Sequence, residues 1–458
     1  MRTIISSLVF CACLAGWTSP APAAAAPRLQ VGVFRVDATP PLGEPLIWDT
    51  LLKQVDDPLW AKGIVLQNGR QRFVLCTLDW CELCNESYAD FCAVLAKAAG
   101  TTPNQVLVHC VHQHTAPYAD RGAHRLLDQA PLPPPHLGQA FLDTLSARLA
   151  AAVREACGKL QPFDSVGLGE AKVERVASHR RLPDGKGGIT VRFSTGGKDT
   201  QLAAAPEGRI DPLLKTVTLA RGATPLVRLH YYATHPQTMA CNGRASGDFA
   251  GQAREAMEQK EKVFQLYFTG CAGDQTVGKY NDGSDAARNA LGQRLLAGLV
   301  AAAQNTRFAP ANSFSWHNAP VTLAPRTEPA WTLPSCQARI NNTNAAPGVR
   351  IYDGAIRQAY LERLKKPLRI TWLQIGGASI LHLPGEPMLE FQEFAQSLRP
   401  GSLVAVAGYQ DTGPGYICTD VAFKEGGYEP GASNSGPGSE AILKRAIRRI
   451  AAQAQPAR

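Results

Sequence analysis

The chain has 458 residues, 45% of them apolar, which allows one large or two ordinary domains with a substantial core. Its formal charge is +9, but Lys and Arg are scattered rather than interleaved with aromatics, which argues against nucleic-acid binding. No later stretch is long and apolar enough to span a bilayer, and no long disordered tract is evident.

In chain order, residues 1–25 read as a signal peptide. Arg2 gives the positive start, 4–17 the apolar stretch and 21–26 the small residues at which cleavage occurs. This predicts a secreted or periplasmic protein whose single domain spans 28–458. Ten cysteines follow the signal, and in an oxidising compartment some of them are expected to pair. Cys81-Glu-Leu-Cys84 has no second CxxC at zinc-ribbon spacing and reads as a disulfide or structural thiols.

Residues 28–39 alternate as a half-buried strand does. Residues 59–67 and 72–78 read as a hairpin about Asn68-Gly69. A helix at 86–99 is capped by Gly100, and a second spans 137–157. Between them, 120–135 reads as a loop that covers or borders the site. Strands are expected at 165–176, 214–220, 226–233, 263–268 and within 371–384. Helices are expected at 249–262, 285–303 and 439–452, the last docking on the core with a solvated basic face. Residues 310–344 read as loop and edge strand. No internal repeat is visible. The mixture predicts one α/β domain.

The chemistry gathers at strand ends. Residues 106–111 are an apolar strand that runs into His112-Gln-His114, with Pro117 as its limit. Period-two alternation puts His112 and His114 on one face and His109 on the other. Two imidazoles there suit a divalent metal or a hydrogen-bonded polar pocket, and alternation does not say which one ligates. His235 likewise stands before a proline at a strand end. Glu386 follows a strand and a Pro-Gly break, and Tyr416 closes the glycine-rich loop 408–416.

As an ordered set, VHQHTAP (111–117), ATHP (233–236), SGDFAG (246–251), GCAGDQ (270–275), PGE (384–386) and YICT (416–419) with Tyr428-Glu429 resemble segments of one family. They are similar to the THTHSGP, ATHP, SGDYPG, GDQNP, PGE and YxTT…YE motifs of the catalytic domain of neutral, non-lysosomal ceramidases. The resemblance implies an α/β/β/α sandwich with two mixed sheets between helices. It implies Zn2+ held by His112, His235, Glu386 and Tyr416, with His114 moving protons and Arg180 meeting the substrate carbonyl. The family's active-site serine falls on Thr276, as nucleophile or as a group orienting substrate or water.

The implied activity is zinc-dependent hydrolysis of the N-acyl bond of a ceramide-like lipid, giving a fatty acid and a sphingoid base. The implied partner is that lipid, met at a membrane or micelle surface, with no obligate protein partner. The chain departs from the family in four places, the first being the loop 118–135, which differs from the glycine-rich stretch usual after the histidine motif. His179 stands where the family has Asn, Val277-Gly278 replace Pro-Asn, and the sequence ends without the immunoglobulin-like domain of long members. The alternatives are a zinc hydrolase of another N-acyl or ester substrate, or a non-catalytic exported binding protein.

Overall fold

A computed structural model describes residues 29–454. The expected signal segment, with Cys11 and Cys13, lies outside the described residues.

Strands β1 (Gln30–Asp37), β2 (Trp60–Asn68) and β3 (Gln71–Leu78) form an antiparallel meander. Gly69 supplies the left-handed residue of the expected β2–β3 turn, at φ 61°. Helix α1 (Asn85–Ala99) then crosses over, and β4 (Val106–Cys110) returns parallel to β3. Gly100, at φ 68°, ends α1 as expected. After α2 (Arg121–Asp128), α3 (Gln139–Gly158) packs over the same face. Phe34, Val65, Val74 and Val108 meet Phe91 and Leu95 of α1 and Leu145 and Leu149 of α3 in one outer core. The short strand Gln161–Pro162 closes the free edge of β1.

The same arrangement recurs. A meander of β5 (Ser165–Lys172), β6 (Leu213–Arg221) and β7 (Thr224–Tyr232) leads into α4 (Asp248–Glu261) and then β8 (Phe264–Thr269), parallel to β7. Helix α5 (Asp285–Gln304) covers this face, and β9 (Arg307–Pro310) closes the edge of β5. After β10 (Phe314–Val321) come α6 (Leu333–Asn341), a π-helical stretch Val349–Ile356 and α7 (Arg357–Arg363). Then β11 (Leu368–Ile375) and β12 (Ala378–His382) complete a third meander with β10. Crossover helix α8 (Leu389–Ser397) leads to β13 (Val404–Ala407), parallel to β12, and α9 (Ser439–Gln453) covers the outer face.

Two five-stranded mixed sheets between helices are therefore present, as expected, and a four-stranded sheet of the same strand order joins them. The repeat of three strands, crossover helix, parallel strand and covering helix is not visible in the sequence. It lies in topology, while the side chains filling each layer have diverged. Inner faces of all three sheets share one core, where Ile64 and Leu75 meet Val217, Leu229, Leu266, Leu373, Ile380 and Ala405.

The three parallel strands that follow the crossovers converge at their C-terminal ends. The Cys110 amide donates to Tyr409 O, the Gly408 amide to Thr269 O, and Thr269 Oγ1 to Val111 O at 2.7 Å. His109 ties the junction. Its Nδ1 donates to Gly408 O at 2.9 Å and its Nε2 accepts the Thr269 amide at 3.0 Å. Burial pushes its pKa down to about 3, so the ring stays neutral and serves as one donor and one acceptor.

Four expectations change. Residues 121–128 are a helix, capped by Asp120 accepting the Gly122 and Ala123 amides. Residues 333–341 are also a helix, capped by Thr332 accepting the Ser335 amide, with Pro334 in the first turn where no amide is needed. The strand before the histidines ends at Cys110, so alternation does not govern His112 and His114. All ten cysteines among the described residues are free. They are distributed to different layers, Cys76, Cys92 and Cys110 in one outer core and Cys271 and Cys418 in another. Within the CxxC, the Cys84 thiol meets Thr412 Oγ1 at 3.1 Å while the Cys81 thiol turns toward His112 Nδ1 at 3.7 Å.

Candidate metal centre

Each sheet contributes one side chain to a buried cluster, always just past the end of a strand in a parallel pair. His112 follows β4, His235 follows β7 and Glu386 follows β12. Crevices beyond such carboxyl ends are where α/β sheets bind ligands.

His112 takes a left-handed backbone, φ 71°, because its amide is turned back onto Trp80 O at 2.9 Å. Its Nδ1 donates to Cys81 O at 2.8 Å. His235 Nδ1 donates to Ala272 O at 2.7 Å. Each ring is thereby held in the tautomer whose Nε2 carries a lone pair. The two Nε2 atoms lie 3.2 Å apart, and Glu386 Oε2 lies 3.0 Å from His112 Nε2 and 3.2 Å from His235 Nε2. Three buried acceptors thus face one another, which is repulsive without a proton or a cation between them. Their spacing matches the edge of a tetrahedron with arms of about 2.0 Å, roughly 3.3 Å. The donor set therefore fits a zinc-sized ion.

The electrostatics agree. Burial opposes charge on all three groups. The two imidazoles nevertheless hold the Glu386 carboxyl well below the usual carboxylate range, and Glu386 lifts His112 above the ordinary value. His235, where burial prevails, falls to about 4. A second set of ligating side chains, Cys81, His112 and His114, shares His112.

Glu386 is set by its neighbours. Gly385 turns the chain at φ 64°, and the Glu386 amide donates to Gly415 O at 2.9 Å. This brings residues 386–387 alongside Tyr416–Ile417 in a short parallel pair. The Tyr416 ring lies parallel to that of His235 at 6.4 Å, and the Arg180 guanidinium sits over it at 5.1 Å. Arg180 Nε donates to Glu429 Oε1 at 3.0 Å, and its NH2 donates to Gly273 O. Glu429, fully buried, also receives Arg181 NH1 at 2.7 Å. The Gly270–Asp274 loop packs so tightly here that a Cβ on Gly273 would sit 2.5 Å from Glu386 O.

His114 is buried against Trp48, with ring centres 4.7 Å apart, and neither of its ring nitrogens has a partner among the described residues. Burial, then the neighbouring histidines, hold its pKa well below the ordinary value. Thr276 pairs with Ser178, and its Oγ1 accepts the Gly278 amide at 3.1 Å. None of its hydrogen bonds reaches the histidine cluster. Asp274 spends its carboxylate on the Leu389 amide, Gln275 and His179.

The cluster opens into a cavity of about 640 Å³. Its walls include His112, His114, Glu386 and Tyr416, with Trp48, Glu82, Val349, Tyr352 and Tyr428. The helix at 121–128 is not among them, and the segments 47–48 and 346–357 border the site in its place. Residues of α2 instead line a larger cavity of about 870 Å³ that contains neither ligating cluster. Sequence reasoning missed Trp48, Glu82, Tyr352 and Tyr409. Tyr409, stacked on His112 at 4.4 Å, lies in a loop whose glycines had marked it for attention. Glu82 sits inside the CxxC, where attention goes to the thiols, and Trp48 and Tyr352 sit in segments without a local signal.

No protein-family model matches the chain, and no curated protein sequence matches it. Among solved structures, a crystal structure of neutral ceramidase from Pseudomonas aeruginosa superposes with a TM-score of 0.67 at 16% identity, covering 94% of this chain and 76% of that one. A second structure, described as ceramidase complexed with C2, gives 0.67 at 14% identity over the same shares. The chain has the fold of a bacterial neutral ceramidase. On that fold it carries a cluster of side chains able to coordinate a metal ion.

Proposed function

We propose that the protein is an exported zinc-dependent amidase that hydrolyses the N-acyl bond of a ceramide-like lipid to a fatty acid and a sphingoid base. One observation carries this reading. Three acceptor atoms, from His112, His235 and Glu386, stand within 3.2 Å of one another on the ceramidase scaffold.

These three side chains would hold zinc, and the resemblance adds Tyr416 as the fourth. Bound zinc lowers the pKa of a water toward neutrality and polarises an amide carbonyl. The chain's own residues supply the rest. Arg180, fixed by Glu429 and Gly273 O, presents a permanent positive charge beside Tyr416, where an oxygen gaining negative charge is stabilised. Neither ring nitrogen of His114 has a partner among the described residues, so its lone-pair nitrogen is open to take a proton from attacking water and pass it to the leaving amine. An amine leaves poorly unless it is protonated. Thr276 has its hydroxyl oxygen engaged by a backbone amide, which suits orienting a group better than attacking one. Ile47, Val349 and Ile356 offer an apolar wall to an acyl or alkyl chain, which would enter from a membrane or micelle surface.

The test is fatty-acid release by zinc-loaded protein from N-acyl sphingosines of graded chain length. A rate that falls as the acyl chain shortens supports the reading. No release across the series removes it. Glu82, Asp353 and Asn434 make part of the cavity polar and favour, as the second reading, a zinc hydrolase of a more polar N-acyl compound.

A further inference from the structure

The metal-centre cavity contains a carboxyl that the hydrolytic scheme does not use. Glu82 lines the same space as His112, His114 and Glu386. Its one side-chain partner among the described residues is the weak donor Cys84 Sγ, at 3.6 Å, and it makes no ion pair. Around it stand aromatic side chains. Tyr352 and Trp48 also line the cavity, and behind Tyr352 lies Tyr118, with ring centres 5.4 Å apart. Tyr352 OH accepts the Trp48 amide at 2.9 Å. Tyr118, paired with Glu82 across a short two-residue ladder, is fully buried with its hydroxyl unpartnered.

Glu82, Tyr352 and Trp48 converge on this one cavity. The cavity wall thus offers a carboxyl without a cationic partner, Glu82, beside the aromatic rings of Tyr352 and Trp48, with Tyr118 behind Tyr352. Carboxylates attract a cation of any kind, but aromatic faces favour an organic one. Glu82 belongs to neither of the two sets of potential metal-ligating side chains among the described residues.

We propose that Glu82, Tyr352 and Trp48 form a subsite for an aliphatic primary ammonium group. The inference rests on the reading of this cavity as the substrate site, and it names the chemistry of the amine half. That chemistry is shared by the amine released when an amide is cut and by a substrate carrying a second, charged amine.

The test is calorimetric titration of the intact chain with octylammonium, octanol and octanoate. Octylammonium is expected to bind about 10-fold more tightly than octanol. Glu82→Gln should abolish that ratio. Glu82→Lys should shift the preference to octanoate, a gain that misfolding cannot produce. A matched pair, N-octanoyl ethylenediamine against N-octanoyl ethylamine, locates the source. The same ratio there assigns the subsite to a charged substrate, and a ratio confined to octylammonium assigns it to the product amine. Equal binding of octylammonium and octanol, or a preference unchanged in Glu82→Gln, overturns the subsite. These titrations need no turnover, so their outcome is separate from whether an amide is hydrolysed.

Discussion

His112 and His235 meet nitrogen to nitrogen, Nε2 to Nε2 at 3.2 Å, with each outer nitrogen donating to a backbone carbonyl. Neither ring can turn away without giving up that bond, so a cation between them resolves the contact. The purified protein is expected to carry one zinc per chain. His112→Ala and His235→Ala should each weaken metal binding by more than the roughly 10–100-fold cost of losing an outer partner. Metal analysis of wild type beside both variants checks this, and equal zinc content in all three would exclude the site.

Glu386 depends on the turn that precedes it. Gly385 sits at φ 64°, and a Cβ there would approach Gly415 O to 2.7 Å. Gly385→Ala is expected to cost about 1–2 kcal/mol for the left-handed backbone alone, with the contact adding to it. It should also displace the carboxylate and lower zinc affinity. Thermal unfolding with and without zinc reads both effects, and a variant with wild-type affinity would show that the turn does not set Glu386.

Glu429 holds two arginines at once, Arg180 at 3.0 Å and Arg181 at 2.7 Å, with no solvent at the carboxylate. Glu429→Ala leaves buried guanidinium charge without its partner. The expected loss of stability is about 3–5 kcal/mol. Chemical denaturation measures it, and a loss below about 1 kcal/mol, the range of surface pairs, would mean that solvent reaches the arginines.

Acid sensitivity should arise partly between the first two sheets. Burial would raise the Glu255 carboxyl, yet Arg254, Lys62 and Arg35 around it hold it down to about 2 from an ordinary 4.5. The folded value is below the unfolded one, so this stabilisation is complete above pH 4.5 and is lost as pH falls toward 2. It is on the order of 2 kcal/mol after allowance for partial exposure. Glu255→Gln should flatten the dependence of unfolding free energy on pH between 5 and 3. An unchanged slope would assign acid unfolding to other groups.

Ten free thiols predict indifference to reductant. Melting temperature should be the same with and without dithiothreitol, and all ten described cysteines should titrate in denaturant. A drop on reduction would reveal pairing that this arrangement of layers does not contain.

Much of this was legible in residue order. Local chemistry placed the β2–β3 turn at Asn68-Gly69, the end of α1 at Gly100 and the buried face of α9 at Leu443, Ile447 and Ile450, because each depends on neighbours within a few residues. Strand-end histidines and the Pro-Gly break before Glu386 marked the candidate ligands. The two short capped helices, 121–128 and 333–341, were hidden in polar, proline-bearing stretches whose composition reads as loop.

The sequence by itself determined which residue types stood at which strand ends, since apolar period, β-branching and proline act locally. Only the tertiary structure decided that three sheets of one topology aim those ends at a single point. It also decided that His112 reaches the point through a left-handed turn rather than by strand alternation, and that Glu82 and Tyr352 share its cavity. Such convergence depends on contacts between segments more than a hundred residues apart, and it is set by how the layers pack rather than by any neighbour along the chain.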